Sequence, residues 1–102
     1  MTVGEKALYK VTLSDYIVNE LELDSNVEWV KFEIVESGAF NYGNHTATVV
    51  SILPASGDPE RSITYDTRYF IGSIEDVAET IIEEYYGKNL KSFEKIEDLS
   101  EN

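Results

Sequence analysis

Residues 73–87 carry the most restrictive pattern in the chain, an apolar stripe that recurs every three or four residues. Its members are Ile74, Val77, Ala78, Ile81, Ile82, Tyr85 and Tyr86. This spacing predicts an amphipathic α-helix. Ser73 is suited to cap the helix N-terminus, with Asp76 three residues further on, and Gly87 is suited to end it. A helix with this face needs an apolar surface to cover, so the rest of the chain must supply one.

The middle of the chain predicts a sheet that can supply this surface. The three candidate strands lie at residues 27–36, 45–53 and 62–71. The first and third alternate along their length, as half-buried strands do, while the second is apolar on both faces and favours a central position. Short connections that contain glycine or proline separate the strands, which predicts an antiparallel meander.

The two ends of the chain add further elements. Residues 7–13 alternate like a strand, although a helical pattern competes there. A short helix is predicted near residues 15–22, with Ser14 or Asp15 as its N-cap. Residues 90–98 have apolar side chains at steps of three and predict one more short helix, after which the last few residues are expected to fray.

Together these elements predict one α+β domain built in two layers, spanning residues 1–102. The sheet is an antiparallel meander of three strands, or four if the first alternating segment is a strand. The long C-terminal amphipathic helix packs against it, and a short helix precedes the meander. A chain of 102 residues is long enough for one core of modest size.

Several chemistries are excluded by the residues themselves. The chain has no cysteine, which removes disulfides, thiol catalysis and cysteine–zinc sites. Its one histidine, His45, belongs to no recognisable catalytic motif, and the glycines form no phosphate-binding loop. We therefore predict no enzyme activity, no metal site and no cofactor. No apolar run is long enough to span a bilayer and no signal-peptide pattern is present, which favours a cytoplasmic protein.

Charge is the feature that points to a function. Twenty acidic residues stand against eight basic ones, for a net charge of −12. Residues 14–37 and 73–102 each contribute −6 of it. On the long helix, Glu75, Glu79 and Glu83 recur every four residues, and no Lys or Arg interrupts the series. Like charges at this spacing oppose helix stability, so selection for stability alone would place lysines among them.

We predict that these carboxylates form a surface for a basic partner. A rigid array of carboxylates can imitate a phosphate backbone, whereas the net charge itself repels nucleic acid and anionic lipid. Aromatic residues in the loop between glycines 38 and 43 either cover the open end of the core or anchor a partner. Trp29 either contacts residues 1–22 in the core or likewise anchors a partner. The predicted partner-binding residues are Glu75, Asp76, Glu79, Glu83, Glu84, Asp24, Glu28, Phe40 and Tyr42.

The order of the elements and the charge together resemble a known class of protein. A short, strongly acidic chain with a helix, a three-stranded meander and a further helix is similar to small phage-encoded anti-defence proteins. Some anti-CRISPR proteins of this kind imitate DNA at the PAM-reading site of a type II CRISPR nuclease. The resemblance implies an inhibitor that acts in the cytoplasm of a bacterial host cell. The sequence leaves one alternative open, a non-catalytic structural or assembly protein that forms a homodimer through its sheet.

Overall fold

The structure is a computed structural model that describes residues 3–37, 45–66 and 72–100. Within these ranges the chain forms five strands and two α-helices, which confirms the α+β class but adds strands to the predicted sheet. The elements are β1 (Lys6–Leu13), α1 (Asp15–Glu20), β2 (Val27–Ser37), β3 (His45–Pro54), β4 (Arg61–Asp66), α2 (Ile74–Tyr86) and β5 (Leu90–Asp98). One turn of 3-10 helix at Gly87–Asn89 joins α2 to β5.

All five strands pair antiparallel in one sheet, in the order β4-β3-β2-β1-β5. β2, β3 and β4 form the predicted meander, and β3 lies between two partners, as its apolar pattern indicated. β4 ends at Asp66, and residues 67–71 of the predicted strand lie outside the described residues. In β1 every second side chain is buried, which settles residues 7–13 as a strand.

The helix predicted for residues 90–98 is wrong, because this segment is the edge strand β5. Its register with β1 shifts at two places, and each shift adds one residue to β5, first Lys91 and then Ile96. Leu90 and Phe93 therefore both pack against the core although they are three residues apart. A bulged strand produces the same apolar step of three as a helix, so periodicity alone could not separate the two structures.

The core lies between α2 and one face of the sheet. α2 packs against β1 and β2, where Tyr9 and Phe32 form an edge-to-face aromatic pair with ring centroids 5.6 Å apart. Burial raises the pKa of Tyr9 to about 12, and the negative charges of the nearby α2 carboxylates add to the shift. The buried side chains of α2 are Ile74, Val77, Ala78, Ile81, Ile82 and Tyr86.

Both ends of α2 lie where the sequence predicts them. The Ser73 hydroxyl accepts a hydrogen bond from the Asp76 N–H at 3.2 Å, and the Asp76 carboxylate accepts one from the Ser73 N–H at 3.0 Å. This capping box holds the pKa of the Asp76 carboxyl below its usual range. Gly72 precedes the box at φ +118°, and a Cβ there would lie 2.4 Å from the Asp76 carboxylate. Gly87 ends the helix with φ +53°.

The short helix α1 lies on the same side of the sheet as α2. Ile17 and Val18 pack against the core cluster that α2 covers. α1 is two residues shorter than predicted, and Ser14 occupies its N-cap position without capping it through the side chain. Instead the Ser14 hydroxyl donates to the backbone carbonyl of Asn89 at 3.1 Å. This hydrogen bond connects the start of α1 to the 3-10 turn that follows α2.

Replacing Ile81 with alanine tests the packing of α2 on the sheet. Ile81 is 2% exposed, and shortening it leaves a cavity between helix and sheet. We expect the free energy of unfolding, measured by urea titration, to fall by about 2–5 kcal/mol. The control is Ile96→Ala, because Ile96 is 45% exposed and its loss should cost less than about 1 kcal/mol. Equal losses in the two variants would contradict this packing.

Candidate functional site

The two helix segments on one side of the sheet carry nine of the chain's twenty acidic residues. α2 holds five carboxylates, and residues 14–26, which include α1, hold four. Neither segment contains a Lys or an Arg. Because both segments pack on the same face of the sheet, their carboxylates form one acidic layer, called here the helix layer.

The α2 carboxylates predicted for partner binding lie together along this layer. Asp76, Glu79, Glu83 and Glu84 are all exposed. At a rise of about 1.5 Å per residue, the 13 residues of α2 span roughly 20 Å, so its five carboxylates provide one charge per ~4 Å. One strand of B-DNA carries a phosphate about every 3.4 Å along the helix axis. The spacing of the carboxylates along α2 is therefore close to that of the phosphates on one nucleic-acid strand, and one of the five, Glu75, is paired with a lysine.

Glu75 differs from the other α2 carboxylates because it has a cationic partner. Lys95 on β5 donates to the Glu75 carboxylate at 2.5 Å. This hydrogen bond lowers the pKa of Glu75 and raises that of Lys95. The lowered pKa means that the pair stabilises the fold above pH 4.5, the usual pKa of this carboxyl, and loses this effect as the pH falls through the lower folded value. No other α2 carboxylate forms a salt bridge within the described part of the chain.

Glu28, which is also predicted for partner binding, is not on the exposed surface of the helix layer but buried beside it. The residue is 6% exposed. Arg61 Nη2 donates to both of its carboxylate oxygens, at 2.9 and 3.0 Å, and the Tyr86 hydroxyl donates to Oε1 at 2.7 Å. Burial and this hydrogen bond raise the pKa of Tyr86, which keeps its hydroxyl protonated as a donor. The signal was present in the sequence, because residue 28 shares its strand face with Val30 and Phe32.

The remaining predicted residues have separate positions. Asp24 is exposed in the turn between α1 and β2, within the helix layer. Phe40 and Tyr42 lie outside the described residues. Trp29 is 36% exposed on the face of the sheet that α2 does not cover, opposite Lys10 on β1 and Leu53 on β3. Trp29 therefore does not belong to the acidic surface.

The face that carries Trp29, called here the outer face, has a different charge pattern. Among the described residues no helix covers it. Alternation along β1 and β2 places Lys6, Lys10 and Lys31 on it, and Lys6 Nζ lies 3.8 Å from the Glu33 carboxylate. Three lysines thus lie on the outer face, whereas the helix segments contain no basic residue and Arg61 and Lys95 on the helix side are each paired with a carboxylate.

A pocket opens beside α2, in a place that sequence patterns could not reveal. Its volume is about 210 Å³, and it is bounded by α1, the end of α2 and the loop between β3 and β4. We call it the Tyr85 pocket. Its lining residues are Leu13, Ile17, Leu21, Leu23, Glu28, Asp58, Arg61, Tyr85, Tyr86 and Asn89. These residues come from segments far apart in the chain, so no local motif marks the pocket.

No protein-family model matches the chain, and no match was found among curated proteins or solved structures. In residues 3–37, 45–66 and 72–100, no three acidic or histidine side chains are grouped to hold a metal ion. No helix in those ranges is long and apolar enough to cross a membrane.

The Glu28–Arg61 pair can be tested by a double-mutant cycle. Among the described residues, Arg61→Ala leaves the buried Glu28 carboxylate with the Tyr86 hydroxyl as its partner, so we expect the free energy of unfolding to fall by about 2–4 kcal/mol. Adding Glu28→Gln removes the unpaired charge and should restore at least about 1 kcal/mol. Urea titrations of both single variants and the double variant give the coupling. Strictly additive losses would contradict a direct interaction between the two side chains.

Proposed function

We propose that the protein is a non-enzymatic inhibitor that binds the basic, phosphate-binding surface of a nucleic-acid-handling enzyme through its helix layer. One observation carries the proposal: nine carboxylates and no basic residue in the two helix segments, gathered on one side of the sheet. Lys and Arg of the partner would pair with these carboxylates by charge-assisted hydrogen bonds, as they pair with phosphates. The target that the resemblance favours is the PAM-reading site of a type II CRISPR nuclease.

The rigidity of α2 supports this role. The Ser73–Asp76 capping box fixes one end of the helix, and its apolar face is held against the sheet. The carboxylates are therefore already arranged before a partner arrives, which lowers the entropy lost on binding. A basic channel built for a stiff phosphate backbone is best matched by an array that is itself stiff.

The position of the charge on α2 also supports binding over simple stability. Glu83 and Glu84 lie in the last turn, where the helix dipole disfavours negative charge, and that turn contains no basic residue. Solubility requires charge somewhere on the surface, but it does not require negative charge at the least favourable end of a helix. Selection for a partner accounts for this placement.

Reversing two charges on α2 tests the proposal. The assay follows, by fluorescence anisotropy, a PAM-containing DNA duplex bound to a guide-loaded type II CRISPR nuclease. We expect the wild-type protein to displace the duplex, less effectively as salt rises. The Glu79→Lys/Glu83→Lys variant should need at least about tenfold more protein for half displacement, since hydrogen bonds to charged groups contribute about 1.5–3 kcal/mol each.

The matched control carries the same change of charge on the other side of the sheet. Glu94 and Glu97 lie opposite Lys10 and Leu8 in register, on the outer face. Glu94→Lys/Glu97→Lys should displace the duplex almost as well as the wild type. Equal losses in the two double variants would mean that net charge alone matters, and full activity of the α2 variant would contradict phosphate mimicry. Circular dichroism confirms that each variant is folded.

A second candidate function has its own support on the outer face. Trp29 and Leu53 are directly opposite each other in the β2–β3 register, and they are 36% and 53% exposed. An exposed apolar pair on an uncovered sheet face is suited to association with a second copy. The protein would then be a structural or assembly protein rather than an inhibitor.

Sedimentation velocity over a range of concentrations tests this second candidate. It predicts a dimer at high concentration that changes little with salt and is lost in Trp29→Ser/Leu53→Ser. Leu21→Ser is the control, because Leu21 is 59% exposed on the helix side. A monomer at every concentration would exclude a homodimer through the sheet.

A further inference from the structure

The Tyr85 pocket lies between the two parts of the helix layer. Ile17 and Leu21 of the α1 segment form one wall, and Tyr85, in the last turn of α2, forms another. Its volume of about 210 Å³ is smaller than that of most pockets for drug-sized ligands, about 300–1,000 Å³. The space suits one long side chain of a partner better than a cofactor.

The charges around the pocket favour a cationic occupant. Glu28 and Asp58 line it against a single cation, Arg61, which leaves the pocket with one net negative charge. The C-terminus of α2, the negative end of its dipole, is also here, and Glu83 and Glu84 lie in the same turn. A positive group entering the pocket is therefore attracted by Asp58, Glu28 and the end of the helix dipole, and is opposed by Arg61 in the lining and by Lys88 next to Asn89.

Arg61 itself shows how a guanidinium is accommodated here. One guanidinium nitrogen, Nη2, donates both hydrogen bonds to Glu28. The guanidinium carbon lies 5.9 Å from the centre of the Tyr85 ring. This distance is within the range of a cation–π contact. The Tyr85 side chain is 40% exposed, so its ring is also accessible to a group arriving from solvent.

The apolar wall accounts for the rest of such a side chain. Leu13, Leu21 and Leu23 line the pocket together with Ile17, and Leu21 is 59% exposed. The methylene stem of an arginine can pack on these leucines while its planar, weakly hydrated head group lies near Tyr85 and Asp58. Lysine, with a more strongly hydrated ammonium group, fits this arrangement less well.

We propose that the Tyr85 pocket receives one arginine side chain of the basic partner and anchors it between the two parts of the helix layer. This inference rests on the proposed function for the identity of the partner, but the pocket can be tested without that partner. Two parts of the surface then have different roles in binding. The α2 carboxylates attract and orient the partner through charge, and the pocket supplies the one desolvated contact at which binding energy concentrates.

The first experiment titrates a peptide into the full chain labelled with ¹⁵N, observed by NMR. The probe is acetyl-Gly-Arg-Gly-amide, and the peptide control has leucine in place of arginine. We expect saturable shifts of the backbone amides of Leu21, Leu23 and Asn89 with the arginine peptide only. Equal shifts with both peptides would overturn the proposal, as would shifts that spread along α2 without saturating.

Two pairs of matched variants locate the contact. Asp58→Asn should weaken the arginine peptide about two- to fivefold, while Glu60→Gln, in the same loop but outside the pocket lining, should not. Leu21→Arg places a tethered guanidinium at the pocket and should abolish binding, whereas Leu53→Arg on the outer face should not. If Asp58→Asn and Glu60→Gln have the same effect, the peptide senses only the general charge and the pocket is not its site.

The results separate this inference from the proposed function. If the α2 charge reversal leaves the nuclease assay unchanged but the arginine peptide saturates in the pocket, the proposed target is wrong and the pocket stands. If the charge reversal abolishes displacement but Leu21→Arg and Leu53→Arg displace the duplex equally well, mimicry stands and the pocket proposal fails.

Discussion

The packing of one helix face on the sheet determines the rest of the molecule. Six apolar side chains of α2 are buried against it, and each such burial is worth about 1.5–3 kcal/mol for the larger residues. Because the helix cannot rotate without exposing these side chains, its carboxylates are held pointing outward. The same contact therefore determines both the core and the acidic surface. Ile81 is buried against the sheet, and this packing keeps Glu79 exposed on the opposite side of the helix.

A polar cluster lies where the apolar contact between α2 and the sheet ends. Glu28 on β2 accepts hydrogen bonds from Arg61 at the start of β4 and from Tyr86 at the end of α2. The three groups join an interior strand, an outer strand and the helix at one point. A buried carboxylate with partners of this kind specifies how the elements meet more strictly than an apolar contact does, since any other arrangement leaves it unpaired.

The sequence predicts an element correctly wherever its local periodicity agrees with the tertiary structure. The capped helix at residues 74–86 and the alternating strand from Val27 follow directly from periodicity, and so do the exposed α2 carboxylates. The fifth strand did not follow, because its two bulges give Leu90 and Phe93 a helical spacing. The charge of Glu28 favours an exposed position, whereas the strand face that it shares with Val30 and Phe32 favours burial, and in the structure it is buried. The Tyr85 pocket depends on distant segments meeting, which no local pattern encodes.

The irregular pairing of β5 also limits how these molecules can associate. At the β5 edge of the sheet, Lys91 and Ile96 interrupt the hydrogen-bond ladder with β1. Charged side chains lie near them in the strand, at Glu94, Lys95 and Glu97. A strand of this kind is a poor template for a further strand. Indefinite growth by edge pairing needs two usable edges on every molecule. Of the two outer strands, β5 is irregular, and β4 pairs without a register shift in its described residues Arg61–Asp66. Strand addition would therefore stop at a closed pair, which protects so small a domain against fibre formation.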